Sequence, residues 1–121
     1  AGEVRKMLAG HGGLVAYTGS NDMRDLLKAA AEGDKEIAAT VEAFHYQIGK
    51  EVGAMAAVMK GKVDQIILTG GIAYGQETVD AITDMVGWIA PITVYPGEDE
   101  LLALAQGALR VLNGEEPARV Y

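Results

Sequence analysis

The chain has 121 residues, 50% of them apolar, with 17 acidic against 10 basic side chains and a formal charge of −7. That length fits one domain, and that apolar share can fill a core, which excludes a disordered chain. The acidic balance disfavours the phosphate backbone of nucleic acid, so no nucleic-acid partner is expected; a single nucleotide needs only a few amides and a cation.

The chain has no cysteine, which removes disulfides and thiolate metal sites and is compatible with a reducing compartment. His11 and His45 lie far apart, which argues against a histidine-rich metal site. The uncharged run Met85 to Gly97 falls well short of the about 20 residues of a spanning helix and contains two prolines, so no membrane segment is expected. The start, AGEVRKMLAG, lacks the apolar stretch of a signal peptide and an initiator methionine, so the chain reads as a processed or excised piece.

In chain order, Glu3 to Leu8 allows one or two helical turns, and GHGG at 10–13 is a flexible break. The run LVAYTG, residues 14–19, is short, apolar and closed by glycine, and is expected to be a buried strand. Ser20, Asn21 and Asp22 offer side-chain oxygens to the free amides of a first turn, so a helix is expected through MRDLLKAAAE, stopping at Gly33. Asp34 caps the next helix. Ile37, Val41, Phe44, Ile48, Val52, Met55 and Met59 recur every three or four residues, one apolar stripe along about seven turns or roughly 39 Å. Gly49 and Gly53 each weaken that helix by about 1 kcal/mol relative to alanine, so the pair is expected to serve close approach to another element. Their GxxxG spacing is that of a membrane dimer, but Lys50, Glu51 and Lys60 favour a sheet or subunit as the neighbour.

Val63 to Thr69 reads as a strand, uniformly apolar at Ile66, Ile67 and Leu68, as a central strand covered on both faces would be. A helix from Gln76 or Glu77 to Val86 follows, with Val79, Ile82 and Val86 on one side. After Pro91, ITVY is a second strand. PGEDE then turns into a helix from Glu98 or Asp99 to Leu112, its core side formed by Leu101, Leu104, Ala105, Ala108 and Leu112. Residues 113–121 form a polar C-terminal tail, expected to be loosely held. The alternation predicts an α/β fold with parallel strands joined by crossovers. So few strands leave open sheet edges, as in part of a larger domain or a chain that needs a partner.

In open parallel sheets, ligands bind beyond the carboxyl ends of the strands. Gly70 and Gly71 sit just past such an end, where bare backbone and the amides of a coming helix suit a phosphate; alternatively they only make a tight turn. The spacing of Gly70, Gly71 and Gly75 matches neither the P-loop nor the dinucleotide fingerprint. In TGSNDMR, Thr18 to Arg24, Arg24 reaches either a phosphate or a carboxylate such as Asp25 or Glu32. Asp22 takes a ribose hydroxyl or caps the helix. Glu98, Asp99 and Glu100 either complement a helix dipole or help hold Mg²⁺. His11 is expected to be exposed, and His45, beside Phe44 and off the main stripe, to lie at the surface or at a contact. The one serine, Ser20, leaves no serine–histidine–acid set.

Three segments, GGLVAYTGSNDMRDLLKAAAEGD, AFHYQIGKEVGAMAAVMKGKVDQIILTGGIAYG and IAPITVYPGEDELLALAQGALRVLNGEE, together resemble the C-terminal part of the butyrate kinases. Those enzymes belong with acetate kinase in the acetate- and sugar-kinase, heat-shock-protein-70 and actin superfamily. The resemblance implies that residues 1–121 are the C-terminal part of the second, nucleotide-binding domain, a partial ribonuclease-H-like domain. It implies a cytoplasmic phosphotransferase that moves phosphate reversibly from ATP to butanoate, with ATP/ADP and Mg²⁺ as cofactors and a homo-oligomeric state. An Asp-Phe-Arg loop that contacts nucleotide in acetate kinases falls on Asp22, Met23 and Arg24. Their Gly-Ile-Gly-Glu-Asn loop falls on Gly71, Ile72, Ala73, Tyr74 and Gly75. This sequence departs at the last three positions, keeping backbone contacts at Gly71 and Ile72 but not the polar side chains. With Gly70, the residues Asp22, Met23, Arg24, Gly71, Ile72, Ala73 and Tyr74 form the expected nucleotide-binding set. A Mg²⁺-holding Glu falls near Asp99, in a register shared with Glu98 and Glu100. The N-terminal domain, the first strands of the second domain, the catalytic Arg and Asp and most of the carboxylate site have no counterpart. Kinase activity is therefore not expected of this piece alone. The competing expectations are a non-catalytic interaction module that pairs with a second chain, and a kinase for acetate or branched carboxylates.

Overall fold

The computed structural model describes residues 2–8, 10–97 and 99–119. The chain opens with α1 (Gly2–Leu8), which buries no residue. The stretch expected to be a strand is instead a short helix, α2 (Leu14–Thr18). Among the described residues the two strands pair only with each other, so this stretch has no sheet to join. Its polar groups close a turn locally. The Gly19 N–H donates to the Val15 carbonyl at 2.9 Å, and the Thr18 hydroxyl donates to the Leu14 carbonyl at 2.7 Å. Five residues, four of them apolar, carry no period that separates a strand from one helical turn.

Asp22 begins α3 (Met23–Ala31) by accepting the Arg24 backbone N–H at 3.0 Å. Asp34 begins α4 (Lys35–Val58) by accepting the N–H groups of Glu36 and Ile37 at 3.1 and 3.0 Å. These amides would otherwise lack partners in a first turn. The first half of α4 packs on α3, where Met23, Leu26 and Val41 are buried against Leu14, Leu27, Ile37 and Phe44.

The second half of α4 packs on a β–helix–β unit: β1 (Ile66–Gly70), a 3-10 turn (Gly71–Tyr74), α5 (Gln76–Val86) and β2 (Ile92–Pro96). The strands are parallel, in register from Ile66 opposite Ile92 to Gly70 opposite Pro96. β1 therefore starts at Ile66 rather than at Val63: the ladder stops at Pro91, which has no N–H to continue it. Ile66, Ile82, Val86 and Ala90 are buried here, with Ile48, Val52 and Met85 packed around them. Gly49 lets α5 come close, since a Cβ there would lie 2.6 Å from Met85 Cε. A Cβ at Gly53 would meet nothing within 4 Å, so the two glycines do not act as a pair.

The sheet is not covered on both faces as expected. Ile66 is buried, but Ile67 is 59% exposed. The last helix, α6 (Glu100–Leu112), buries no residue, and its expected core side chains Leu101 and Leu104 are 84% and 70% exposed. Beyond it the polar tail turns back, where the Arg110 guanidinium donates to Glu116 at 2.9 Å. Six helices and a two-stranded parallel sheet, counted among the described residues, make the α/β class expected from the alternation of elements.

Candidate functional site

Because α4 packs against α3 with one half and α5 with the other, the loops that precede α3 and α5 end up side by side. Between them lies an open cavity of about 800 Å³. Asn21, Asp22, Met23, Arg24 and Leu27 line one side, and Gly71, Ile72, Tyr74 and Gly75 the other. Two stretches nearly fifty residues apart, both expected to bind nucleotide, thus meet at one hollow. The loop before α3 is braced from within: the Asp22 N–H donates to the Ser20 hydroxyl at 3.1 Å, and the Ser20 N–H to the Thr18 hydroxyl at 3.2 Å. Met23 is anchored by its buried side chain.

Arg24 pairs with Asp22, not with Asp25 or Glu32. Its Nε donates to Asp22 Oδ1 at 2.9 Å and its terminal nitrogen to Oδ2 at 2.5 Å. That two-pronged bond holds the Asp22 carboxyl down to about 2 and raises Arg24 above its usual value. Asp22 therefore caps the helix and carries a full negative charge at neutral pH. The guanidinium has five N–H donors and uses two of them on Asp22, so three remain for a ligand oxygen.

Across the cavity, Gly70 holds φ +86 and ψ 179, a conformation open to glycine but not to side-chain-bearing residues. It does not line the cavity; its carbonyl accepts the Gly97 N–H at 3.0 Å. Gly71 lines the cavity with free space where a Cβ would stand. Ala73 is half-buried inside the 3-10 turn and off the cavity wall. Tyr74, 71% exposed, is on it. Gly75 caps α5 without a side-chain bond, leaving first-turn amides facing outward from the helix end. Asp99 caps α6 and makes no capping bond with its carboxylate, but it does not line the cavity.

The expected set omitted Asn21, Leu27 and Gly75. Leu27 had a signal: it stands one helical turn after Arg24 and so shares its side of α3. His45, expected at the surface or at a contact, is at a contact and buried. Its Nε2 lies 3.0 Å from Thr78 Oγ1, and Thr78 is 1% exposed. Burial lowers the His45 pKa. Thr78 also donates its N–H to the Gly75 carbonyl at 3.1 Å, so this buried pair braces the turn behind the cavity. Among the described residues no three His, Cys, Asp or Glu side chains cluster as metal ligands. No described helix is long and apolar enough to cross a membrane.

The probable butyrate kinase 2 of Caldanaerobacter subterraneus is 55% identical over 119 residues, which are 98% of this chain and 34% of that protein. The probable butyrate kinase of Clostridium botulinum is 56% identical over 98% of this chain and 34% of its own length. The butyrate kinase 2 of Clostridium acetobutylicum is 55% identical over 98% of this chain and 33% of its own length. The chain thus spans about a third of the relatives it matches. The profile of the acetokinase family matches residues 1–111. The chain belongs to the acetokinase family.

Proposed function

We propose that this chain is the nucleotide-holding part of a cytoplasmic carboxylate kinase, and that its cavity takes an adenine nucleotide, ATP or ADP. The observation that carries the reading is the meeting of Asp22–Arg24 with Gly71–Tyr74 on one cavity of about 800 Å³, a volume suited to a ligand of nucleotide size. Free donors on Arg24 and open amides in the first turn of α5 suit phosphate oxygens, and the ionised Asp22 suits a ribose hydroxyl. The names of the relatives point to butanoate as the acceptor.

In the reaction proposed for the whole enzyme, a carboxylate oxygen of butanoate attacks the γ-phosphorus of ATP. The bond from that phosphorus to the ADP oxygen breaks, giving butanoyl phosphate and ADP. Such transfers depend on positioning and charge neutralisation rather than on covalent chemistry by the protein. This chain would hold and orient the nucleotide. The acceptor site and catalytic groups would come from the other two thirds of the enzyme, so the isolated chain is proposed to be inactive. Mg²⁺ would neutralise phosphate charge when bound. It takes one or two carboxylates with water and phosphate oxygens, and Asp99, with no capping bond, is the carboxylate we assign to it.

The test exchanges this chain for the matching third of the Clostridium acetobutylicum protein. The expected result is butanoyl phosphate from ATP and butanoate with the chimera and none with the chain alone. A chimera that folds and binds ATP but makes no acyl phosphate overturns the reading.

A second reading rests on the open faces of β1 and α6: a non-catalytic module that pairs with the rest of the enzyme or with a second copy. It predicts association in a sizing measurement, and a strictly monomeric, cooperatively folding chain counts against it.

A further inference from the structure

The two loops beyond the strand ends are tied together, and one side chain spans the tie. β1 ends at Gly70 and β2 at Pro96, and the Gly97 N–H donates to the Gly70 carbonyl at 3.0 Å. Tyr74, the last residue of the 3-10 turn, lies over Gly97. A Cβ built on Gly97 would stand 2.5 Å from the Tyr74 hydroxyl oxygen and 3.2 Å from Cζ. The ring therefore fills the space that a side chain at 97 would need. The same ring lines the cavity. At Gly71, by contrast, a Cβ would meet nothing within 4 Å.

We propose that Gly97 is a positioning residue of the nucleotide cavity, acting through Tyr74. The missing side chain at 97 is the slot that holds the ring, and the held ring fixes the loop Gly71–Gly75 against the cavity. The ligand in this inference rests on the nucleotide reading above; the loop coupling rests on the geometry alone. An aromatic surface fixed at the cavity wall suits the flat face of a base.

A cycle of Gly97→Ala, Tyr74→Ala and the double variant tests it, read by ADP affinity and by amide hydrogen exchange across Gly71–Gly75 without nucleotide. Gly97→Ala is expected to expel the ring, speed exchange in that loop and weaken ADP about five- to tenfold, as loss of positioning does. Tyr74→Ala is expected to do the same, and the double variant to lose clearly less than the two single losses combined. At φ +96 an alanine is also strained, but that strain persists without Tyr74. Losses that simply add in the double variant therefore overturn the proposal. So does unchanged loop exchange in Tyr74→Ala, which introduces no strain and decides the matter if Gly97→Ala does not fold. If the unmodified chain binds no ADP, the nucleotide reading fails, and the exchange cycle still decides whether the two loops are coupled.

Discussion

Gly49 and Gly53 lie one turn apart in α4, and a methyl group should act oppositely at the two. Replacing a helix-interior glycine by alanine gains about 1 kcal/mol from the backbone. At 53 a Cβ meets nothing within 4 Å, so Gly53→Ala should realise that gain, raising Tm by about 4 °C for a domain of this size. At 49 a Cβ would fall 2.6 Å from Cε, 2.8 Å from Sδ and 3.1 Å from Cβ of Met85. The first two are the free end of a flexible side chain and can swing away. The third is fixed to the α5 backbone and moves only with the helix. Overpacking of this kind costs about 1–3 kcal/mol. Set against the helical gain, Gly49→Ala should be neutral to about 2 kcal/mol destabilising. Urea denaturation midpoints at constant slope measure both. Equal stabilisation by the two substitutions would refute the view that Gly49 is bare because Met85 lies on it.

Thr78→Val should cost about 1–3 kcal/mol by leaving buried His45 Nε2 without its partner, read by the same denaturation assay; no loss would mean that the bond contributes nothing. Burial lowers the His45 pKa, so the unfolded chain binds a proton there more readily than the folded one. Stability should therefore be full above the ordinary histidine value of about 6.5 and fall as pH drops below it. His45→Gln should flatten that fall in a Tm–pH series, and an unchanged slope would contradict it. Asp22, held down to about 2 by Arg24, contributes stability above the ordinary carboxylate value of about 3.9 that is lost as pH falls toward 2. Carboxyl NMR should show that low midpoint moving up in Arg24→Gln; a midpoint that stays put would remove Arg24 as the cause.

Where one local device and one period agree, the sequence is readable. Asp34 with the stripe from Ile37 predicts α4, and Val79, Ile82 and Val86 predict the buried side of α5. Leu14–Thr18 is too short for a period to decide, and what decided it was the lack of a neighbouring strand. His45 is polar and off the apolar stripe, and the partner that lets it be buried stands 33 residues on. The two halves of the candidate site were legible as loops after apolar runs. Their meeting was not, because it depends on α4 touching α3 and α5 at once. Nor was the Tyr74–Gly97 contact, which arises from the parallel pairing of β1 and β2 and not from spacing along the chain. The leucines of α6 predict an apolar side, but among the described residues nothing buries it.

The most direct test of the nucleotide site is a backbone-amide NMR titration of the isotope-labelled chain with ADP, on the wild type and on Gly71→Val. A side chain at 71 enters open space beside the cavity, so the variant should fold normally and obstruct the ligand. Shifts should concentrate at Asp22–Arg24 and Gly71–Gly75 in the wild type and be lost in Gly71→Val. Shifts centred elsewhere, such as the groove between Tyr17 and Phe44, or equal binding by the variant, would contradict the nucleotide site.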